Sequence, residues 1–212
     1  MEVYGGILSP YVSRVILTAR HKGIKHKLTM PEGGIKSPEY LKINPLGKIP
    51  AIKDGSTILF ESAVIVDYLD AKYKTKRLLP ANAAEAAKVR MIAAVFAEYV
   101  QAPMLALFRH LDPTKRDQAV VDAKLAEIAK GLDVAEKLLS GKSWAAGAKF
   151  GFADVFAVPA MFFINAMMPG FGIADPIGGR KKLAKYYKVI QKDKMTGPVL
   201  GEMGEALKNF RR

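Results

Sequence analysis

The sequence predicts a small α/β domain joined to an all-α domain, and three observations predict it. Short β-type runs alternate with helical ones through residue 80, and from residue 85 onward only helical periodicity is found. The 212 residues, 50% hydrophobic, also suffice for one large core or two small ones without metal or disulfide staples. The expected domains are residues 1–80 and 85–212, with no internal repeat and no low-complexity segment.

The elements follow in order. Glu2 to Leu8 reads as a first strand. Ser9 to about Lys22 reads as a helix, because Val12, Val15, Ile16 and Ala19 recur at i, i+3, i+4 and i+7, and Gly23 ends it. Ile49 to Lys53 and Thr57 to Phe60 are apolar runs around Asp54-Gly55-Ser56. Gly55 can supply the positive φ of a hairpin turn there, which makes the two strands antiparallel. Glu61 to about Lys72 is compatible with a helix, and Tyr73 to Pro80 reads as a linker.

In the second half, Glu85 to Leu111 is rich in Ala, Val, Met and Phe and should form one long helix kinked at Pro103. Asp112-Pro113 sets a capping side chain before a first-turn proline. Pro113 to about Leu139 then carries Val120, Val121, Leu125, Ile128, Leu132 and Leu138 at helical spacing. Asp154 to Met168 is apolar almost all round, as befits the centre of a bundle. Helices near Arg180 to Gln191 and Pro198 to Phe210 complete the pattern.

Charge and composition exclude several functions. The net charge of +13 is divided as +6 over residues 1–80, zero over 81–179 and +7 over 180–212. Arg180, Lys181, Lys182, Lys185 and Lys188 have the spacing of one solvated helix face, suited to attracting small anions, and no nucleic-acid signature accompanies them. No nucleic-acid partner is expected. With no cysteine in the chain, disulfides, a cysteine nucleophile, thiolate zinc sites and a dithiol redox cycle are ruled out. His21, His26 and His110 lack ligand-like spacing, so no metal is expected. The start, MEVYGGILSPYVSRV, has an acidic second residue and no long apolar run, unlike a secretory signal or a membrane span, and a soluble intracellular protein is expected.

Three segments carry chemistry. Ser9-Pro10-Tyr11-Val12 hands a strand over to a helix. Serine and proline make a good helix start, and such a start also offers unpaired N–H groups and the positive end of a macrodipole, which lower a thiol's pKa. Asn44-Pro45-Leu46-Gly47-Lys48-Ile49-Pro50 precedes the hairpin, and Phe60-Glu61-Ser62 follows it. SPYVSRV, NPLGKIPAI and FESAVIVDYL, in this order and spacing, resemble the thioredoxin-like N-terminal domain of cytosolic glutathione transferases. GAKFGFADVFAVP resembles the entrance of a core helix in the family's C-terminal helical bundle, so the resemblance covers essentially the whole chain.

The resemblance implies a homodimeric cytoplasmic enzyme that takes reduced glutathione as co-substrate and conjugates it to a hydrophobic electrophile, with no metal and no membrane partner. Ser9 stands where serine-type classes (theta, phi, tau and zeta-like) keep the hydroxyl that faces the glutathione sulfur. The same position holds the first cysteine of the CPYC motif in glutaredoxins. A free thiol of pKa about 8.5 is roughly 3% ionised at pH 7, and a shift of two units, worth roughly 2.7 kcal/mol, makes it about 75% ionised. One charge-assisted hydrogen bond of roughly 1.5 to 3 kcal/mol is of the right size. Tyr4 is the rival donor, since other classes use a first-strand tyrosine, and Ser13 is third.

By the same resemblance Pro50 is cis, and the backbone of Ile49 pairs with the cysteinyl part of the tripeptide. Ser62 binds the γ-glutamyl carboxylate at a helix start, and Glu61 balances its ammonium. Lys48, and less directly Lys36, pair with the glycyl carboxylate; phi-like sequences often have glutamine where this one has Lys48. Tyr11, Met104, Phe108 and Phe162, with Phe163 beside it, are candidates for the electrophile pocket. Asp154 is assigned a structural role at its helix start, where Gly151 lacks the side-chain acceptor of a full capping box. Three alternatives stay open: a non-catalytic carrier of glutathione or hydrophobic ligands, a glutathione-dependent peroxidase or isomerase, and an interaction module of the kind found in elongation-factor subunits.

Overall fold

The computed structural model describes residues 1–210; residues 211 and 212, the end of the expected second domain, lie outside the described residues. The chain forms two compact units. The first joins Met1–Leu78 to the C-terminal stretch from Lys194, and the second is Leu79–Asp193. The N-terminal mixed sheet with its helices and the all-α second half are both present as the sequence predicts.

In the first unit a four-stranded sheet has the order β2-β1-β3-β4: β1 is Glu2–Tyr4, β2 Lys27–Thr29, β3 Ala51–Asp54 and β4 Thr57–Phe60. β1 runs parallel to β2 and antiparallel to β3, while β3 and β4 form the expected hairpin, with Gly55 at φ 66°. The first strand ends at Tyr4, well short of Leu8. β2, and helix α2 (Pro38–Ile43), are too short to show a periodicity, and neither is legible in the sequence.

Helix α1 (Pro10–Lys22) and helix α3 (Ser62–Lys72) pack together on the sheet. Val3, Val12, Val15, Ile16, Ala19, Ile52, Ile65 and Leu69 form the core between them. Burial of each such side chain contributes about 1.5 to 3 kcal/mol. The end of α1 is fastened by a buried pair, Lys22 Nζ to Asp70 Oδ1 at 2.7 Å. The same ammonium donates to the carbonyls of Tyr73 at 2.7 Å and Thr75 at 3.1 Å, and Asp70 accepts the Leu78 N–H at 2.9 Å. A charge so enclosed is tolerated only when its donors are used in this way. The last helix, α9 (Thr196–Phe210), groups with this unit and not with the second as expected; Arg20 of α1 binds Glu202 with both guanidinium nitrogens at 2.7 and 2.8 Å.

The second unit opens with α4 (Ala83–Ala94). The expected single kinked helix is divided: the ladder widens to a π-helical turn over Val95–Gln101 and resumes as α5 (Ala102–Ala106). Pro103 has no N–H to offer the Tyr99 carbonyl, and the turn before it shifts to i→i+5 bonding, with Ala102 N–H donating to the Ala97 carbonyl. Helix α6 (Gln118–Leu138) crosses this place at Gly131, where a Cβ would overlap the Tyr99 carbonyl oxygen, so only glycine permits the approach. α6 begins later than expected. Asp112 caps only the short 3₁₀ turn Pro113–Lys115, and Asp117, accepting the Val120 N–H at 3.2 Å, is the true cap.

Helix α7 (Phe152–Met167) is the buried centre of the unit, as its all-round apolarity predicts. It and the stretch Ala83–His110 are long and apolar enough to cross a membrane by composition, but here 78% of the apolar window in Phe152–Phe171 is covered by protein. Helix α8 (Lys181–Lys192) starts without a cap of its own; Glu136 of α6 accepts its Lys182 and Leu183 N–H groups, both at 2.9 Å. Asp154 does brace the start of α7, one oxygen accepting the Gly151 N–H and the other the Ala145 N–H, both at 2.9 Å. The reciprocal half of a capping box is missing because Gly151 has no side chain.

Burial pushes the fully enclosed Asp154 carboxyl up to about 6, against the pull of its hydrogen bonds from the Ala145 and Gly151 N–H groups. A raised carboxyl binds more protons folded than unfolded. Its contribution is therefore fully present below about pH 4 and lost as the pH rises through about 6. The stability of the wild type relative to Asp154→Asn, measured by urea unfolding, should fall by about 2 to 3 kcal/mol between pH 4 and pH 7.5. A gap that stays constant or widens over that range would contradict this reading.

Candidate functional site

The first unit contains a cleft of about 190 Å³ walled by Tyr11, Asn44, Lys48, Ile49, Pro50, Glu61 and Ser62. It is assembled from three segments far apart in sequence: the head of α1, the turn before β3 and the junction of β4 with α3.

At the head of α1, Ser9 has extended backbone and its Oγ accepts the Val12 N–H at 3.4 Å, with Pro10 in the first helical position. Capping occupies a lone pair of the hydroxyl and leaves its proton to donate. No acidic residue lies in the first turn of α1, whereas Arg20, His21 and Lys22 occupy the last, so the positive end of the macrodipole is uncompensated. Gly5, at φ 140°, makes the tight approach to this helix start: a Cβ there would meet Val12 Cγ2 at 2.5 Å and Ile49 Cβ at 3.1 Å. The rival donors are placed differently. Ser13 is fully buried, its hydroxyl donating to the Ile7 carbonyl at 2.6 Å and lying 3.1 Å from that of Ser9. The Tyr4 hydroxyl donates to Glu2 at 3.1 Å, and burial, then Glu2, raises its pKa.

The turn before β3 is shaped by Asn44. Its Oδ1 accepts the Leu46 N–H at 3.1 Å in an Asx turn, and its Nδ2 donates to the Lys48 carbonyl at 2.7 Å. Tyr40 donates to that same carbonyl at 2.7 Å, and burial pushes its phenol up to about 12. The Ile49–Pro50 peptide bond is cis. Lys48 lines the cleft. Lys36 does not: its ammonium donates to the Leu46 carbonyl at 3.2 Å and so is held on the turn.

At the third segment Glu61 has φ 70° and ψ 110°, a conformation sparsely populated by non-glycine residues, of the kind that concentrates at binding sites. It gives α3 no side-chain cap, so the N-terminal N–H groups of that 11-residue helix have no side-chain acceptor from this residue. Arg14, buried in α1, donates from Nη1 to Ser62 Oγ at 3.3 Å, and its guanidinium lies 4.9 Å from the centre of the Tyr11 ring. Arg14 and Asn44 are the two residues that sequence reasoning passed over. The signals were a charge on the apolar stripe of α1 and the turn chemistry of Asn-Pro.

The proposed pocket residues are placed unevenly. Tyr11 walls the cleft and is 37% exposed. In the second unit Phe108 and Phe162 are half-buried and both meet Phe163 edge to face, with ring centroids 6.0 and 5.3 Å apart. Met104 has no exposed surface and is a core residue, because it lies with Pro103 on the buried face of α5. Among the described residues no three His, Asp or Glu side chains come together as a metal-binding group.

The chain is similar to known proteins in sequence and fold. The family model for the glutathione S-transferase N-terminal domain matches residues 3–77, and that for the C-terminal domain matches residues 89–192. Glutathione S-transferase 3 of Zea mays is 35% identical over 188 residues, covering 83% of this chain and 84% of its own. Among solved structures, glutathione transferase F2 of Populus trichocarpa superposes with a TM-score of 0.82 at 28% identity over 96% of this chain and 99% of its own. A glutathione S-transferase-I with bound lactoylglutathione gives 0.80 at 27% identity over 95% and 98%.

Replacing Arg14 by Ala removes the bond to Ser62, the stacking on Tyr11 and a buried volume. Urea unfolding should show a loss of roughly 2 to 4 kcal/mol, and Arg14→Lys should recover little of it, because an ammonium cannot reproduce the planar fork. A variant as stable as the wild type would show that Arg14 does not anchor the junction.

Proposed function

The chain belongs to the glutathione S-transferase family, and on that premise we propose that its first unit holds reduced glutathione in the cleft beside α1 and ionises the thiol at Ser9 for transfer to an apolar electrophile. The observation that carries this reading is the state of Ser9: its hydroxyl is spent as an acceptor on the Val12 N–H, keeps its proton to donate, and sits at a helix start with no acidic neighbour. A thiolate there receives one charge-assisted hydrogen bond and the helix dipole. Together these supply roughly 2 to 4 kcal/mol, enough for a shift of about two units.

The remaining groups bind and orient. The γ-glutamyl carboxylate takes the Ser62 hydroxyl and the N–H groups at the start of α3, with Arg14 holding Ser62 from below and Glu61 meeting the ammonium. The Ile49 backbone pairs with the cysteinyl part in the manner of an added strand, and Lys48 meets the glycyl carboxylate. Lys36, committed to the 44–47 turn, is left out of the reading. The bound thiolate attacks the electrophilic carbon, forms the C–S bond and expels the leaving group, while the thiol proton passes to solvent. Catalysis is thiol activation and proximity, with no base required. The lactoylglutathione complex of the glutathione S-transferase-I supports a glutathione-derived ligand for this fold. A cytosolic location and Tyr11, which walls the cleft, as an electrophile contact belong to the same reading.

A homodimer is the assembly we favour, since both units leave large apolar side chains uncovered: Leu46, Ile58 and Val64 in the first, Met91 and Tyr99 in the second. Sedimentation velocity should return twice the 23.1 kDa chain mass, and a monomer at micromolar concentration would refute it.

With 1-chloro-2,4-dinitrobenzene at pH 6.5, Ser9→Ala should lower the conjugation rate about ten- to a hundredfold and raise the pKa of the bound thiol, read from its ultraviolet absorbance, by at least about one unit. An unchanged rate and pKa would remove Ser9 from the mechanism.

A further inference from the structure

The second unit carries an open groove of about 770 Å³ along α8, within the size range of small-molecule sites and separate from the cleft of the first unit. One side is Trp144, the chain's one tryptophan. Its indole is set edge to face against Phe150 at 5.3 Å, and its backbone is fixed by the bond of its N–H to the Gly147 carbonyl at 2.9 Å and of its carbonyl to the Ser140 hydroxyl at 2.9 Å. The other side is a stripe of Lys181, Lys185, Lys188 and Lys192, at i, i+4, i+7 and i+11, on the face opposite the buried Leu183, Tyr186 and Ile190. Ala184 and Val189 supply apolar surface between them.

The electrostatics of the groove are one-sided. Four lysines face a single carboxylate, Asp193. Lys185 donates to the Gly141 carbonyl at 2.7 Å, a contact that fixes its ammonium without neutralising it. Among the described residues, Lys181, Lys188 and Lys192 have no ion-pair partner. Stacking like charges at i, i+4 is unfavourable to the helix itself, and the helix start cannot absorb an anion because Glu136 already occupies its first N–H groups. The field of the stripe is therefore directed outward over the indole.

We propose that this groove binds a planar aromatic dianion, the ring against Trp144 and the charges among Lys181, Lys185, Lys188 and Lys192. Lysines alone on an open surface hold small anions weakly and lose them to salt. An indole beside them adds apolar area and ring contact, which select an aromatic body between charged ends.

The lone tryptophan makes the groove its own reporter. Anthraquinone-2,6-disulfonate is titrated into the full chain saturated with S-methylglutathione, which blocks the first-unit cleft, and Trp144 fluorescence is followed with calorimetry in parallel. The expected result is saturable one-to-one quenching, weakened several-fold between 50 and 300 mM salt. The double variant Lys188→Glu/Lys192→Glu should bind at least tenfold more weakly, with conjugation kcat/KM within twofold of wild type. Lys188→Gln, a milder change, should give an intermediate loss, which guards against misfolding of the double variant. Non-saturable quenching, equal binding by the double variant, binding seen only when S-methylglutathione is omitted, or equal competition by inorganic sulfate would each overturn the proposal, the last by showing that the ring contributes nothing.

Discussion

The cleft depends on how α1 is held. Its far end is pinned by the buried Lys22–Asp70 pair and the carbonyls that share that ammonium, while near its start Arg14 reaches across to Ser62. Both ties run from α1 to α3 or to the chain just beyond it, so the two helix starts facing the cleft are positioned by one set of contacts. Buried ion pairs contribute little net stability but penalise alternatives strongly, because any other arrangement strands a charge.

A cysteine-free glutathione transferase takes its reactive sulfur from its co-substrate, and the architecture reflects that division of labour. The protein provides hydrogen-bond donors and oriented backbone, and the co-substrate provides the nucleophile. The uncommon features cluster accordingly: a serine cap with a spare proton, a non-glycine residue at positive φ, an asparagine that closes an Asx turn and donates to the Lys48 carbonyl, and a glycine admitting the close approach of Val12 and Ile49. Away from the cleft, strain is handled by local repair, as where the π-helical turn before Pro103 accommodates the missing N–H.

The basic C-terminal stretch contains two differently employed groups of cations. Arg180 and Lys182 are used internally, Arg180 on Asp133 at 2.8 Å and Lys182 on the Leu139 carbonyl at 2.8 Å. On the outer face of α8, Lys185 is likewise bonded, to the Gly141 carbonyl at 2.7 Å, whereas Lys181, Lys188 and Lys192 have no ion-pair partner among the described residues. A sequence count gives the total charge of the segment, whereas only the packing of α8 against α6 separates the internally bonded cations from those left to face a groove.

The sequence by itself determined the order of the elements with long periodicity, the hairpin at Asp54-Gly55-Ser56, the serine at a helix start, and the family. Each of these is local: a period, a turn residue, a cap or a motif is written in neighbouring positions. Tertiary structure alone decided that α9 groups with the first unit, that Lys36 is held on a turn while Lys48 lines the cleft, that Met104 is core, and that Arg14 braces Ser62. The reason is the same in each case. These outcomes depend on which partner meets a side chain from ten or more residues away along the chain, and a long flexible cation or an apolar side chain has the same local signature whether it reaches solvent, a carbonyl or a core.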